Sequence, residues 1–370
     1  MAISADLPQS MKAVVFQQAN GRLAVTEKPL PELAPGDLLV KVVAASLCAS
    51  DIVPWQGFLG DPKGIVPGHE GVGIVVKGAD YICKRGWFDA TDSSLRNLVE
   101  EPVRGFKVGD RVGFVNAIRT CGSCAACLAG HGQCCENGKK NQGFHLDGFF
   151  AQYTVVDWQF TVKIPDSLPL EKLSPLFCAG ITAYGAVKKV DAPGRGYLGV
   201  FGLGGVGTLV VRFAVALGYT VIGFDVSPTA RSSASNYGAT EVVDPSDLQS
   251  TKQAVEKITN GKGLDGAVVA VGSQAAYEGA LETIGFGKTL VTVGVPHGPI
   301  QFNLLPMIQK MVVVKGTQTG CPLELREMLD VVQRHRIIPE VEISDLEAVP
   351  DLFAKLVEGK ATTKLGVRMD

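Results

Sequence analysis

The chain has 370 residues, which at about 150 residues per domain predicts two or three domains with sizeable cores and excludes a disulfide-stapled miniprotein. Its 35 Lys and Arg residues nearly balance its 37 Asp and Glu residues, so no overall charge favours nucleic acid or an anionic membrane as a partner. The hydrophobic share of 46% excludes a disordered chain and is typical of a folded α/β protein with a small neutral partner.

The sequence predicts a cytoplasmic protein. No apolar run approaches the roughly 18 residues that a membrane span needs. The first ten residues contain an acid and a proline, where a signal peptide has a basic segment and then an apolar one. Nine cysteines in a chain of this length are no disulfide scaffold, and in a reducing compartment clustered cysteines more often bind metal.

Short β-rich segments separated by proline and glycine dominate the first 170 residues and predict small antiparallel sheets or a barrel. The expected strands are residues 13–16, 23–25, 38–43, 71–76 and 110–115. Residues 78–104 show no clear period and form a long connection for a compact domain, so we interpret them as an insertion.

Beyond residue 175, apolar strands alternate with helix-length stretches, and this alternation predicts a doubly wound parallel sheet. The expected strands are residues 196–201, 220–224, 241–243, 266–271, 289–293 and 311–315. The expected helices between them are residues 206–217, 230–237, 249–259 and 274–284, the first ending at Gly218 as a C-cap glycine. Helical patterns at 323–334 and 346–358 indicate a return to the first domain.

Five cysteines lie within fifteen residues, and the first three are separated by two-residue spacers of small side chains. They are Cys121, Cys124, Cys127, Cys134 and Cys135. Four thiolates at about 2.3 Å from a zinc ion need tight turns between them, which these spacers allow. Five thiols compete for four places, and spacing alone leaves open whether Cys134 or Cys135 is the spare. A site with four thiolates has no open position, so it stabilises a loop without performing chemistry.

A second set of metal-binding residue types is dispersed along the chain and consists of Cys48, His69 and Cys178. A catalytic zinc ion needs three protein ligands and one open position, and two cysteines with one histidine are adequate. Taken singly, such a histidine is more often a hydrogen-bonded structural residue and such a cysteine a small buried hydrophobe. Polar neighbours in the sequence are Ser50, Asp51 and Glu70.

A glycine-rich turn between a predicted strand and an apolar helix matches the dinucleotide-binding fingerprint. Its residues are Gly202, Leu203, Gly204, Gly205, Val206 and Gly207. Glycines let backbone N–H groups and the helix N-terminus approach a pyrophosphate closely. Asp225, eighteen residues after Gly207, follows the next strand and can accept hydrogen bonds from both ribose hydroxyls while repelling a 2′-phosphate, which favours NAD over NADP. The alternatives are a plain turn and a helix-capping Asp225.

These motifs, in this order, resemble the zinc-dependent alcohol dehydrogenases of the medium-chain dehydrogenase/reductase family, and the yeast-type branch most. The resemblance covers nearly the whole chain and rests also on Gly-His-Glu at 68–70 and Cys-Ala-Gly-Ile-Thr at 178–182. It implies an α/β protein with a GroES-like, β-rich catalytic domain at 1–178, whose structural-zinc lobe spans about 116–140. A Rossmann NAD-binding domain at 179–319 and a C-terminal return to the catalytic domain at 320–370 complete the implied architecture.

The resemblance assigns roles residue by residue. The implied ligands of the catalytic zinc ion are Cys48, His69 and Cys178, with Asp51 orienting His69 and Glu70 as a nearby acid. The implied ligands of the structural zinc ion are Cys121, Cys124, Cys127 and Cys135, which makes Cys134 the spare. Lys364 lies where a basic residue often meets the cofactor pyrophosphate. The chain departs from the family at Val53, where a histidine commonly forms the outer member of a proton relay.

The implied activity is reversible oxidation of a primary or secondary alcohol to an aldehyde or ketone, with two Zn²⁺ ions per subunit and NAD, in a homodimer or homotetramer. Ser50 is expected to take the hydroxyl proton and pass it toward the cofactor ribose. A dedicated reductase of a bulkier aldehyde or ketone is the alternative enzyme, and a non-catalytic redox sensor the alternative of another class. Aromatic and apolar candidates for the cleft, or for the core, are Trp55, Phe58, Phe144 and Leu146.

Overall fold

The computed structural model describes residues 7–34, 36–78, 105–137, 140–192, 196–296, 298–361 and 363–369. All of the expected insertion except its first residue lies outside the described residues. The described strands are β1 (Ser10–Phe16), β2 (Leu23–Pro29), β3 (Asp37–Ser46), β4 (Glu70–Gly78), β5 (Arg111–Val115), β6 (Ala117–Ile118), β7 (Lys140–Asn141), β8 (Tyr153–Asp157), β9 (Thr161–Lys163), β10 (Tyr197–Phe201), β11 (Thr220–Phe224), β12 (Glu241–Val243), β13 (Leu264–Val269), β14 (Ile284–Thr292), β15 (Val313–Gly316), β16 (Val341–Asp345) and β17 (Lys364–Arg368).

The helices of the described residues follow the same chain order. They are α1 (Ile52–Trp55), α2 (Ala125–Leu128), α3 (Ala179–Lys189), α4 (Gly205–Ala216), α5 (Pro228–Asn236), α6 (Leu248–Ile258), α7 (Gln274–Thr283), α8 (Leu304–Lys310), α9 (Pro322–His335) and α10 (Val349–Val357). None of these helices is long and apolar enough to cross a membrane. The chain divides into two compact units, of which the first contains residues 1–178, 321–329 and 338–370 and the second residues 179–320 and 330–337.

The first unit is built on a seven-stranded sheet with the order β16-β17-β3-β4-β5-β9, and β8 also pairs with β3. All of these pairings are antiparallel except that of β16 with β17. Strand β3 is buried along most of its length because it pairs with three neighbours and carries a nearly continuous apolar run. A core of fully buried aromatic rings, including Phe114, Phe149 and Phe150, packs on this sheet. The prediction of an antiparallel, β-rich GroES-like domain is confirmed.

The second unit contains a six-stranded sheet with the order β12-β11-β10-β13-β14-β15, in which every pairing is parallel. The chain passes from β10 to its neighbour β11 on one side and later to β13 on the other. This reversal of direction at β10 defines a doubly wound sheet, whose ligands bind outside the carboxyl ends of the strands at the point of reversal. The prediction of a Rossmann-type parallel sheet is confirmed.

Helix boundaries in the second unit fall within one or two residues of those expected, and Gly218 follows α4 with φ at +92°. Helix α3 was not expected from the sequence. Eight of its eleven residues are buried, and Tyr184 packs edge-on against Phe213 of α4. A helix that is buried all round shows no alternation of apolar and polar residues, so its period cannot be recognised.

Candidate active site

Antiparallel pairing of β3 with β4 brings Cys48 and His69 to the same end of the first unit's sheet. Strand β3 ends two residues before Cys48, and β4 begins one residue after His69. The register pairs Ala45 with Gly71, so the residues that follow β3 and those that precede β4 must be neighbours.

Cys178 reaches the same place because Phe177 is anchored on β5. The Phe177 ring lies directly over Gly113, where a Cβ atom would be only 1.7 Å from Phe177 Cζ. Gly113 in turn pairs with Val72 of β4. A side chain at position 113 would displace the ring, so the glycine is needed for Phe177 to pack here. Phe177 ends the 3₁₀ turn Ser174–Phe177, and Cys178 follows it directly.

The four donor groups of Cys48, His69, Glu70 and Cys178 lie within 4.8 Å of one another. His69 Nδ1 is 2.6 Å from Asp51 Oδ1, and the other oxygen of this fully buried carboxylate accepts a hydrogen bond from the Cys48 N–H at 2.9 Å. His69 Nε2 is buried and has no hydrogen-bond partner among the described residues. A carboxylate on Nδ1 places the histidine lone pair on Nε2, as metal-binding histidines require. The donor set therefore fits a zinc ion with three protein ligands.

The pKa values of the two thiols of this site are shifted in opposite directions. A hydrogen bond from Cys178, acting against burial, holds the pKa of Cys48 well below its usual value, while the pKa of Cys178 is raised by the same contact and by burial. Burial opposes the charged form of His69, but Asp51 and Cys48 hold its pKa well above the usual value. The site therefore collects negative charge around the histidine, and a divalent cation would compensate that charge.

Glu70 is completely buried beside these ligands, and both of its oxygens are engaged. Oε2 accepts a hydrogen bond from Ser46 Oγ at 2.5 Å, and Oε1 accepts one from Lys364 Nζ at 2.7 Å. The Lys364 ammonium also donates to the Leu47 carbonyl at 2.9 Å. Burial raises the pKa of Glu70 to about 7, against the lowering effect of Lys364.

This network was not expected from the sequence. Register between β3 and β17 pairs Ser46 with Gly366, and no sequence pattern specifies that register. Ser46 was not identified as a site residue. Lys364 was expected at the cofactor pyrophosphate, and its ammonium instead points at Glu70 in the first unit, so the pyrophosphate contact stays a prediction.

A cavity of about 290 Å³ is lined in part by Phe144, whose ring centroid is 5.1 Å from that of His69. The cavity is lined by Pro54, Leu59, Gly60, Asp61, Pro62, Ile65, Lys140, Phe144 and His145. Trp55, which the sequence left open between cleft and core, packs against Phe353 in the core. The exposed hydroxyl oxygen of Ser50 is 3.8 Å from Cys48 Sγ.

The structure brings four of the five clustered cysteines together, with sulfur atoms within 4.8 Å of one another. They are Cys121, Cys124, Cys127 and Cys135. Backbone N–H groups of Ser123 and Cys124 donate to Cys121 Sγ at 3.4 and 3.3 Å, and such bonds, that of Ser123 foremost, lower the pKa of Cys121 to about 6. Thiolates held this way in a tight turn fit a structural zinc ion. Cys134 is exposed and stands outside the set.

In the second unit, the glycine-rich turn joins β10 to α4 and leaves room for a ligand. A Cβ atom at Gly207 would lie 1.8 Å from the Gly202 carbonyl oxygen, so only glycine permits this close packing of helix on turn. Gly204 and Gly205 have no neighbouring atom within 4 Å of where a Cβ would lie, and Val206 follows them in the first turn of α4. The N-terminus of α4 therefore offers free backbone N–H groups to an anion.

Asp225 follows β11 beside this turn. Its Oδ2 accepts a hydrogen bond from the Leu203 N–H at 2.7 Å, and its Oδ1 accepts one from the Ser227 N–H at 2.8 Å. Each carboxylate oxygen keeps a second lone pair for a ribose hydroxyl. Arg231 donates to the Asp225 carbonyl oxygen at 2.6 Å and pairs with Asp244. The helix cap at α5 comes from Ser227 and not from Asp225.

Residues 34–166 match the alcohol dehydrogenase GroES-like domain, and residues 205–334 match the zinc-binding dehydrogenase domain. An alcohol dehydrogenase of Geobacillus stearothermophilus is 31% identical over 362 residues, which are 97% of this chain and 100% of the relative. The crystal structure of the alcohol dehydrogenase from Aeropyrum pernix has a TM-score of 0.80 and 28% identity, covering 96% of this chain and 99% of that chain.

An acetophenone reductase from Geotrichum candidum, solved in complex with NAD, has the same fold, with a TM-score of 0.82, 24% identity and coverage of 99% of both chains. The family domains match the two units described above. The near-complete coverage of the Geobacillus relative extends the similarity over both units and the C-terminal segment. This chain is an oxidoreductase and belongs to the zinc-dependent alcohol dehydrogenases of the medium-chain dehydrogenase/reductase family.

Proposed function

We propose that this enzyme uses NAD to oxidise a primary or secondary alcohol reversibly to an aldehyde or ketone. The observation that carries the proposal is the buried, unpartnered Nε2 of His69, which converges with the thiols of Cys48 and Cys178 while Asp51 holds the opposite ring nitrogen. These three residues would hold a zinc ion, which when bound supplies Lewis acidity to the substrate oxygen.

The chain's own side chains would handle the proton that leaves the alcohol. Ser50 Oγ is exposed, lies next to Cys48, and can accept the hydroxyl proton while its own proton passes to water. Val53 on α1 cannot carry a proton, so we infer that the proton leaves through solvent or the cofactor ribose. Asp51 keeps the His69 ring oriented throughout, because one of its oxygens contacts the ring nitrogen and the other is held by the Cys48 N–H.

The nucleotide would bind to the second unit at the glycine-rich turn. The N–H groups that open α4 favour the pyrophosphate, and the Asp225 carboxylate favours a ribose with a free 2′-hydroxyl and repels a 2′-phosphate. This charge supports NAD over NADP. The four-thiol set would hold a second zinc ion with no open position, so its role is to stabilise the lobe.

A bulkier aldehyde or ketone as the physiological substrate is the second candidate. The cavity beside Phe144 favours it, because about 290 Å³ exceeds the space that a two-carbon alcohol needs, and Lys140 and His145 in its lining can contact polar groups of a larger molecule.

We also infer that the enzyme is a homo-oligomer. Among the described strands, β15 pairs only with β14 and forms an edge of the second unit's sheet. Val313 and Val314 on this strand and Ile308 on the preceding helix are exposed, Ile308 to 70%. An exposed apolar edge strand favours pairing with another copy of the chain. This interpretation predicts a particle of two or four chains in sedimentation equilibrium.

The test is a steady-state assay of NADH formation with a series of alcohols of increasing size, run beside the reverse reaction with the matching aldehydes and ketones. We expect turnover with NAD, at least about tenfold less with NADP, and two zinc ions per chain by elemental analysis. Activity confined to the bulky carbonyl compounds would favour the second candidate. Nucleotide binding without turnover on any member of the series would contradict both.

A further inference from the structure

Glu70 stands close enough to the candidate metal position to compete for it. One of its carboxylate oxygens lies within 4.8 Å of the donor atoms of Cys48, His69 and Cys178. Carboxylate oxygens are good zinc ligands, and three protein ligands leave one position open. A Glu70 side chain that turned toward the metal would close the position that a substrate oxygen needs.

The structure shows two restraints on that carboxylate, from two different strands. Lys364 at the start of β17 holds Oε1, and Ser46 at the end of β3 holds Oε2. Ser46 is completely buried, and the hydrogen bond to Glu70 offsets the free-energy cost of taking its hydroxyl out of water.

The two restraints differ in what they fix. The Lys364 ammonium is a compact charge with three rotatable donors, one of which reaches the Leu47 carbonyl, so it tolerates rotation of the carboxylate about Oε1. The hydroxyl of Ser46 has a single O–H and acts on the second oxygen. Once both oxygens are held, the carboxylate plane is fixed.

We propose that Ser46 is a positioning residue that keeps the Glu70 carboxylate from becoming the fourth ligand of the metal and so keeps that position open. The inference rests on the proposed metal site at Cys48, His69 and Cys178. It predicts that Ser46→Ala releases Oε2, lets Glu70 turn toward the metal, and weakens any small ligand that binds at the open position.

The test uses the full-length protein with Co²⁺ in place of zinc, titrated with imidazole and followed by the visible d–d absorption. Only a site with an open position responds to imidazole, so the four-thiol set stays silent. We expect Ser46→Ala to weaken imidazole binding about tenfold, which is the effect of losing one hydrogen bond to a charged group. The variant should also release the imidazole-responsive Co²⁺ to a chelator more slowly than the wild type. In a Glu70→Gln background, Ser46→Ala is expected to change imidazole affinity by less than twofold relative to Glu70→Gln alone.

Ser174→Ala is the matched control, because Ser174 is also fully buried in the first unit and its hydroxyl has no partner among the described residues. It is expected to leave the imidazole titration unchanged. If Ser46→Ala destabilises the fold, Ser46→Cys, which keeps a weak donor, is expected to fall between alanine and the wild type.

The outcomes separate the two proposals. A wild-type protein with no imidazole-responsive Co²⁺ overturns the metal site and with it the role of Ser46. A responsive wild type with an identical Ser46→Ala titration overturns the role of Ser46 alone. An effect of Ser46→Ala that persists in full in the Glu70→Gln background also overturns it, because Ser46 would then act independently of the carboxylate.

Discussion

The two cysteine clusters of this enzyme are assembled in opposite ways. The four-thiol set comes from one stretch between Cys121 and Cys135, whose turns bring its sulfur atoms together. The dispersed set joins Cys48, His69 and Cys178 from loops at the ends of β3, β4 and the turn after β9, and it depends on strand register and on Phe177 lying over Gly113. One cluster needs local turns, whereas the other needs the whole sheet.

The difference in assembly matches a difference in chemistry. Four thiolates would close the coordination of a metal. The three proposed ligands of the dispersed set, in which His69 Nε2 has no partner among the residues that the structure describes, would leave one position for a substrate. We therefore expect loss of the metal from the four-thiol set to lower the stability of the protein, and loss of the metal from the dispersed set to lower turnover. The predictions below test that separation.

The largest effect is expected for His69→Ala, which removes a proposed metal ligand of the dispersed set. Metal polarisation contributes several kcal/mol to such reactions, so turnover should fall by about 10³-fold or more. NAD binding in the second unit, followed by nucleotide fluorescence, should remain within about twofold, and the metal of the four-thiol set should stay. Full activity in this variant would show that His69 is not a ligand.

Cys124→Ser tests the other cluster. Because Cys124 is buried among the four sulfur atoms, we expect loss of one metal ion per chain and of several kcal/mol of stability. At about 2–4 °C per kcal/mol this lowers the midpoint of thermal unfolding by about 10 °C. The kcat per folded molecule at low temperature should stay within about threefold. A collapse of kcat in protein that remains folded would contradict the separation of roles.

Asp51→Asn tests the contact between the Asp51 carboxylate and His69 Nδ1, which orients the histidine ring. The variant keeps the volume of the side chain but loses the negative charge that orients His69 Nδ1, and such changes typically cost about 10–100-fold in metal affinity or activity. We expect a loss of this size in kcat, together with faster release of one metal ion to a chelator. Adding Asp51→Asn to His69→Ala should cost little more than His69→Ala alone, since Asp51 acts through the His69 ring.

The predictability of the molecule from its sequence follows the same division. The parallel sheet, the glycine-rich turn and the four-thiol spacing could be recognised because each is a local pattern with a period or a spacing. Helix α3 could not, because a helix buried on all sides has no polar face. Neither could the contacts of Ser46 and Lys364 with Glu70, because they depend on the register of β3, β4 and β17.

Spacing alone could not decide between Cys134 and Cys135 either, since the two are consecutive residues and either thiol could reach the cluster. The structure separates them: the Cys121 N–H donates to Cys135 Sγ at 3.3 Å, and Cys135 is buried within the set. Cys134 is exposed in the 3₁₀ turn at Gly132–Cys134, outside the four sulfur atoms.

The smallest effect is therefore expected for Cys134→Ser. Surface substitutions away from a cap, a core or a metal typically change stability by less than about 0.5 kcal/mol, so both the unfolding midpoint and the metal content should match the wild type. Cys135→Ser is the matched variant one residue away, and it should lose one metal ion and behave like Cys124→Ser. If the two neighbours exchanged these results, the fourth thiolate would be Cys134, and the local cluster would need a different turn from the one that the structure shows.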